Sequence, residues 1–180
     1  MDIGRVAMRR ISEKTVYFTI IAILSIATAF SSAITQDKPI ALDGRVIGII
    51  DGDTLDILTP EKQTIRVRLA GIDAPEKAQP FGMKAKAFLS EKAYGCDARL
   101  ENKKKDRYGR MVAHVNACGA DINAAMVKAG YAWVYTQYAS RSDESAWMPL
   151  EENARKNHYG LWADQQKPIE PWNWRKSKKD

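Results

Sequence analysis

The chain has 180 residues, 45% hydrophobic and 28% charged, a globular balance at a one-domain length. That excludes a disordered polyelectrolyte. The formal charge of +6 suggests an acidic partner, yet it sits mainly at the ends: residues 1–33 and 165–180 carry most of the excess, and the middle is nearly neutral. Any grip of the middle on a polyanion must therefore rest on individually placed arginines and lysines.

Residues 1–33 open with Arg5, Arg9, Arg10 and Lys14, followed by a charge-free run from Thr15 to Phe30 and small residues at Ala27-Thr28-Ala29 and Ser31-Ser32-Ala33. A basic start, an apolar run and small residues at its exit predict a signal peptide. The run is shorter than the ~20 residues that a spanning helix needs. A tilted, uncleaved anchor over residues 15–34 is the alternative, and a helix buried in the domain is the third reading. The first two predict an exported protein, periplasmic or extracellular, or one held at the inner membrane. The N-terminal segment would then engage the membrane or the export machinery. Residues 34–39 read as a linker.

The folded domain is expected over residues 40–164. Leu42 to Ile50 reads as a first strand, Thr54 to Leu58 as a second and Thr64 to Ala70 as a third, with period-two alternation in the last two. Gly48 inside the first predicts a bulge or bend. Gly82 to Tyr94 is amphipathic and predicts a helix ending at Gly95. Asp97 to Glu101 and Arg110 to Val115 read as short strands around a loop, Asn102 to Gly109. Asp121 to Ala129 reads as a helix capped by Asp121 and stopped by Gly130. A last helix falls somewhere in Trp147 to His158, its start left open by Pro149. The pattern gives five short strands and three helices. Residues 165–180 form a Trp/Pro-containing basic tail; Ile169 to Asp180 is expected to lack regular structure, although either tryptophan could dock.

Two acidic turns punctuate the first strands: Asp51-Gly52-Asp53-Thr54 and Asp73-Ala74-Pro75-Glu76. If the strands close on themselves, Asp51, Asp53, Asp73 and Glu76 converge as hard oxygen ligands suited to Ca²⁺ or Mg²⁺. Arg68 points away from Leu69 and can reach the same mouth. A third motif is Asp106-Arg107-Tyr108-Gly109-Arg110. Each alone is an ordinary turn. Together, in this order, they resemble the staphylococcal nuclease (thermonuclease) family over roughly Leu42 to Trp162.

The resemblance implies an α+β fold: a five-stranded OB-type barrel with packed helices. It also implies a Ca²⁺-dependent endonuclease acting on DNA and RNA and leaving 3′-phosphate ends. By the same token Arg68 and Arg110 clamp the scissile phosphate, and Glu76 orients the attacking water as general base. The metal ligands would be Asp53, Asp73 and the backbone carbonyl of Ala74, where the family commonly has Thr. Asp51 is left open between direct ligand, water-mediated ligand and turn residue. Arg107, Tyr108 and Lys105 would face nucleic acid, with a solvated loop the other reading of Lys103-Lys104-Lys105. Tyr135 and Tyr138 are candidates for stacking on bases, although the spacing of that segment departs from the family's aromatic pair. The competing function is a non-catalytic OB-type nucleic-acid-binding module. His114 and His158, with the two cysteines, lack any zinc-ligand spacing.

Cys96 and Cys118 flank the two strands of the proposed hairpin, and antiparallel pairing would bring them together. Export would place them where disulfides persist. A bridge is the expectation, two separate buried thiols the alternative.

Overall fold

The computed structural model describes residues 43–163 and 167–178. The expected leader or anchor and its linker lie outside the described residues. Among the described residues no helix is long and apolar enough to cross a membrane.

Among the described residues eight strands run in chain order: β1 Gly44–Ile49, β2 Thr54–Leu58, β3 Thr64–Leu69, β4 Ile72–Asp73, β5 Asp97–Lys105, β6 Met111–Ala117, β7 Ala120–Asp121 and β8 Trp133–Val134. The main sheet has the order β3-β2-β1-β5-β6-β7, and β3 also pairs in parallel with β6. That extra pairing closes β1, β2, β3, β5 and β6 into the five-stranded OB-type barrel. Alternation does what it predicts: Leu55, Ile57, Val67 and Leu69 point into the core. The register of β1 against β2 shifts between Val46 and Gly48, the irregularity expected at Gly48. Such a bend lets a short sheet curl.

Among the described residues four α-helices accompany the barrel, not three: α1 Gly82–Ala93, α2 Ile122–Lys128, α3 Arg141–Lys156 and α4 Pro171–Ser177. Helix α1 buries Ala85, Leu89 and Ala93. Helix α2 begins as expected, with the Asp121 carboxylate accepting from the Ala124 N–H at 3.0 Å. Helix α3 starts well before Trp147, because Ser140 and Asp143 form a reciprocal capping box. Polar Arg141 to Ala146 is therefore its first turns, and Pro149 lies inside it on the exposed side.

Two other expectations are corrected. The loop Asn102 to Gly109 is shorter: β5 runs on to Lys105, with a register shift between Glu101 and Lys104, so Lys105 ends a strand opposite Met111. The tail is not irregular either. Pro171 occupies the first turn of α4, where its missing N–H costs nothing and its fixed φ suits the helix.

Candidate active site

The ribbon of β4 and β8, in which Ile72 pairs with Val134 and Asp73 with Trp133, holds the second acidic turn at the barrel mouth. Gly52 lets the first turn approach it. A Cβ there would lie 2.7 Å from the Ala74 Cβ and 2.9 Å from the Ala85 Cβ, so only glycine fits between the second turn and α1. The Leu69 N–H donates to the Asp53 carbonyl at 2.8 Å and the Ala74 N–H to the Asp53 carboxylate at 3.0 Å, which stitches the two turns and β3 together.

Arg68 fastens the centre. Its guanidinium donates to Asp53 Oδ1 at 2.5 Å and to Asp73 Oδ1 at 2.7 Å. Both aspartate side chains are almost wholly buried, at 5% and 1% exposure. Burial works against the charge of Arg68, but Asp53 and Asp73 outweigh it and hold its pKa above the ordinary arginine value. Asp73 is nevertheless raised: burial dominates, Asp53 adds to it, and the neighbouring arginines only partly compensate. The two shifts agree once the charges are counted, because carboxylates outnumber the guanidinium groups. Asp51 closes an Asx turn, accepting from the Asp53 N–H at 3.1 Å. Burial first, and the charge of Asp53 second, push its carboxyl up to about 6.

Asp53, Asp73, Arg68 and Glu76 are thus drawn into one cluster. Glu76 enters it through a side chain absent from the sequence expectation. Arg175, on α4, donates to Asp73 Oδ2 and to Glu76 Oε1, each at 2.7 Å. In the sequence it belongs to the basic tail expected to lack regular structure. The available signal was Glu170-Pro171, a helix start just ahead of Trp172 and Trp174. Gln79 was also missed. It accepts from the Glu76 N–H at 3.1 Å and donates to the Ile169 carbonyl at 2.6 Å, tying the acidic turn to the base of α4.

The third motif forms a neighbouring cluster. Asp106 accepts from the Tyr108 and Arg110 N–H groups and from Arg110 Nε, fixing the turn and the arginine at once. Burial is the largest single influence and opposes that ionisation, but the hydrogen bonds from Arg110 and Tyr108, with the Arg110 charge, together overcome it, so the Asp106 pKa is lowered. Arg110 and Arg107 both lie over the Tyr108 ring. Tyr108, Gly109 and Arg110 line an open groove of about 690 Å³ with Asp56, Thr64 and Arg66. Arg110 therefore borders this groove and is paired with Asp106, with no hydrogen bond to the carboxylate cluster. Tyr135 and Tyr138 pack edge to face, 4.7 Å between centroids, and Tyr135 is stacked on Trp172 at 4.9 Å and 9°. Cys96 and Cys118 are bridged, with Cα atoms 5.4 Å apart.

Among the described residues no group of three or more His, Cys, Asp or Glu is arranged to hold a metal ion. The chemistry at the mouth still fits a hard cation. Two buried carboxylates, Asp53 and Asp73, present hard oxygens there, and the guanidinium groups now on them hold the positive charge that a cation would replace. Asp53, Asp73 and the Ala74 carbonyl would supply its oxygens.

Residues 66–164, more than half the chain, match the family described as Staphylococcal nuclease homologue. The chain is 49% identical over 135 residues to an uncharacterized endonuclease of Haemophilus influenzae, covering 75% of this chain and 74% of that protein. It is 40% identical over 146 residues to the micrococcal nuclease of Shigella flexneri, covering 76% and 82%. A staphylococcal-like nuclease of Arabidopsis thaliana is 38% identical over 114 residues, 63% of this chain and 34% of that protein. On barrel, motifs and similarity together, the chain belongs to the staphylococcal nuclease homologue family.

Proposed function

We propose that the protein is a Ca²⁺-dependent endonuclease that hydrolyses phosphodiester bonds of DNA and RNA with little sequence preference, leaving 3′-phosphate ends. The observation that carries this reading is the meeting of Asp53, Asp73, Arg68 and Glu76 at one barrel mouth. Relatives named as endonucleases and as a micrococcal nuclease support it.

A divalent ion on Asp53, Asp73 and the Ala74 carbonyl, with Asp51 as a direct ligand, a ligand through water or the residue shaping the turn, would supply charge neutralisation for the phosphoryl oxygens. The chain's own residues do the rest. Arg68 and Arg110 grip the phosphate, because a planar, permanently charged fork matches two of its oxygens. Glu76, with 40% of its side chain exposed, is the carboxylate open enough to meet a water and take its proton. The phosphorus bond to the 5′ oxygen breaks as that water's oxygen bonds to phosphorus. Arg107, Tyr108 and Lys105 line the strand's path, and exposed Tyr138 offers a stacking face, whereas one face of Tyr135 is already taken by Trp172. Grip on backbone rather than base edges gives little sequence discrimination. The segment over residues 1–33 would deliver the enzyme to the periplasm or the exterior, or anchor it at the inner membrane.

Plasmid nicking by the purified protein in Ca²⁺, then in EDTA, tests the reading. Nicking in Ca²⁺ alone is expected. Equal nicking in both, or binding to DNA without nicking, would favour a metal-independent enzyme or a binding module.

A further inference from the structure

Helix α4 has seven residues, too few to persist alone in water. Its place is set by what it touches. Pro171 is buried, Trp172 stacks on Tyr135, and Gln79 donates to the Ile169 carbonyl just before the helix. These three contacts deliver Arg175 across a sequence separation of 102 residues onto Asp73. Its pKa is raised: burial opposes its charge, and Asp73 and Glu76 overcome that.

Among the described residues, Arg175 is the one side chain that hydrogen-bonds the Glu76 carboxylate. It holds Oε1 and leaves Oε2 without a side-chain donor. A half-exposed Glu on a turn otherwise samples several rotamers, whereas one oxygen pinned by a guanidinium fixes the direction of the other.

We infer that Arg175 is a positioning residue of the catalytic site, aiming Glu76, so that the chain's own C-terminal helix completes the site. This rests on the nuclease reading and deepens it. Arg175 acts through Glu76.

The test is steady-state cleavage of a labelled oligonucleotide in Ca²⁺ by the full chain and by Arg175→Ala, Arg175→Lys, Glu76→Gln and Glu76→Gln/Arg175→Ala. Arg175→Ala should lower kcat by about 10- to 100-fold, the range typical of supporting-shell losses, and Arg175→Lys should recover part of it. KM should stay within about threefold, since ground-state grip is not what Arg175 supplies. In the Glu76→Gln background the same change should cost less than about twofold, because its effect passes through the missing carboxylate. Melting of the parent, Arg175→Ala, Glu76→Gln and the double variant in EDTA gives a readout free of activity: the two changes should be non-additive, as contacting residues are. An Arg175→Ala enzyme as fast as the parent or faster would overturn the inference, faster meaning that α4 restrains the site. Full-sized loss in the Glu76→Gln background would overturn it as well, reducing Arg175 to a structural tie. If the parent cleaves nothing while the melting cycle shows coupling, the nuclease reading fails and the catalytic role falls with it.

Discussion

Replacing Arg68 by alanine should weaken the fold as well as the chemistry. The side chain is 19% exposed and bridges Asp53 and Asp73, whose side chains are 5% and 1% exposed. Removing one member of a buried pair typically costs about 3–5 kcal/mol, because the partner stays buried and uncompensated. Here Asp73 keeps Arg175, and Asp53 keeps the Ala74 N–H and the Thr54 hydroxyl. The lower end, about 3 kcal/mol, is the reasonable figure in metal-free protein. For a domain of this size that corresponds to roughly 10 °C in Tm. Ca²⁺ should restore more stability to the variant than to the parent, since it replaces the missing positive charge. The assay is thermal and urea unfolding of both proteins in EDTA and in saturating Ca²⁺. An Arg68→Ala protein melting within about 2 °C of the parent in EDTA would refute the reasoning, whatever its activity.

Arg110→Ala should instead leave Tm nearly unchanged, because its pair with Asp106 is partly solvated, yet lower kcat by about 10²- to 10³-fold if it grips phosphate; melting and steady-state kinetics together check this. The Cys96–Cys118 bridge closes a loop of sequence separation 22, for which loop-closure entropy gives roughly 3.4 kcal/mol, so Cys96→Ser/Cys118→Ser should melt lower. Its activity at low temperature should persist, since the bridge lies at the opposite end of the β5–β6 hairpin from Arg110. Asp51 carries a pKa raised from 3.8 to about 6, so the folded protein holds that proton more tightly than the unfolded chain. In EDTA, stability should therefore fall as pH rises between those values, and urea titrations of Asp51→Asn should show a shallower fall and a more stable protein at neutral pH.

Much of the barrel was legible because local signals and tertiary demand agree there. Thr54 to Leu58 alternates, and the structure buries Leu55 and Ile57 as alternation requires. Gly48 marked the irregular register in β1, and the placing of the cysteines anticipated their bridge. The acidic turns and Arg68 were legible as partners for a site, but not the mutual tie among them, which depends on strand closure. Helix α3 was found late because its first turns are polar, and only the pairing of Ser140 with Asp143 explains why they are helical. Lys105 was assigned to a loop because nothing local shows that β5 continues beyond an irregular register. Arg175 was lost for a different reason. A run of basic residues at a chain end has the composition of a solvated tail, and its contacts with Asp73 and Glu76 are about 100 residues distant in sequence. No local pattern encodes such a contact.

In the proposed mechanism the carboxylates at the barrel mouth divide their labour, Asp53 serving the ion and Glu76 the water. Calorimetric titration of Ca²⁺ into the parent, Glu76→Gln and Asp53→Ala, with cleavage rates measured on the same samples, tests it most directly. Glu76→Gln should keep near-parental Ca²⁺ affinity and lose at least about 10²-fold in rate, in the range set by general-base catalysis. Asp53→Ala should bind the ion far more weakly. A Glu76→Gln protein that cuts at the parental rate, or one that loses the ion while Asp53→Ala keeps it, would rule out that division.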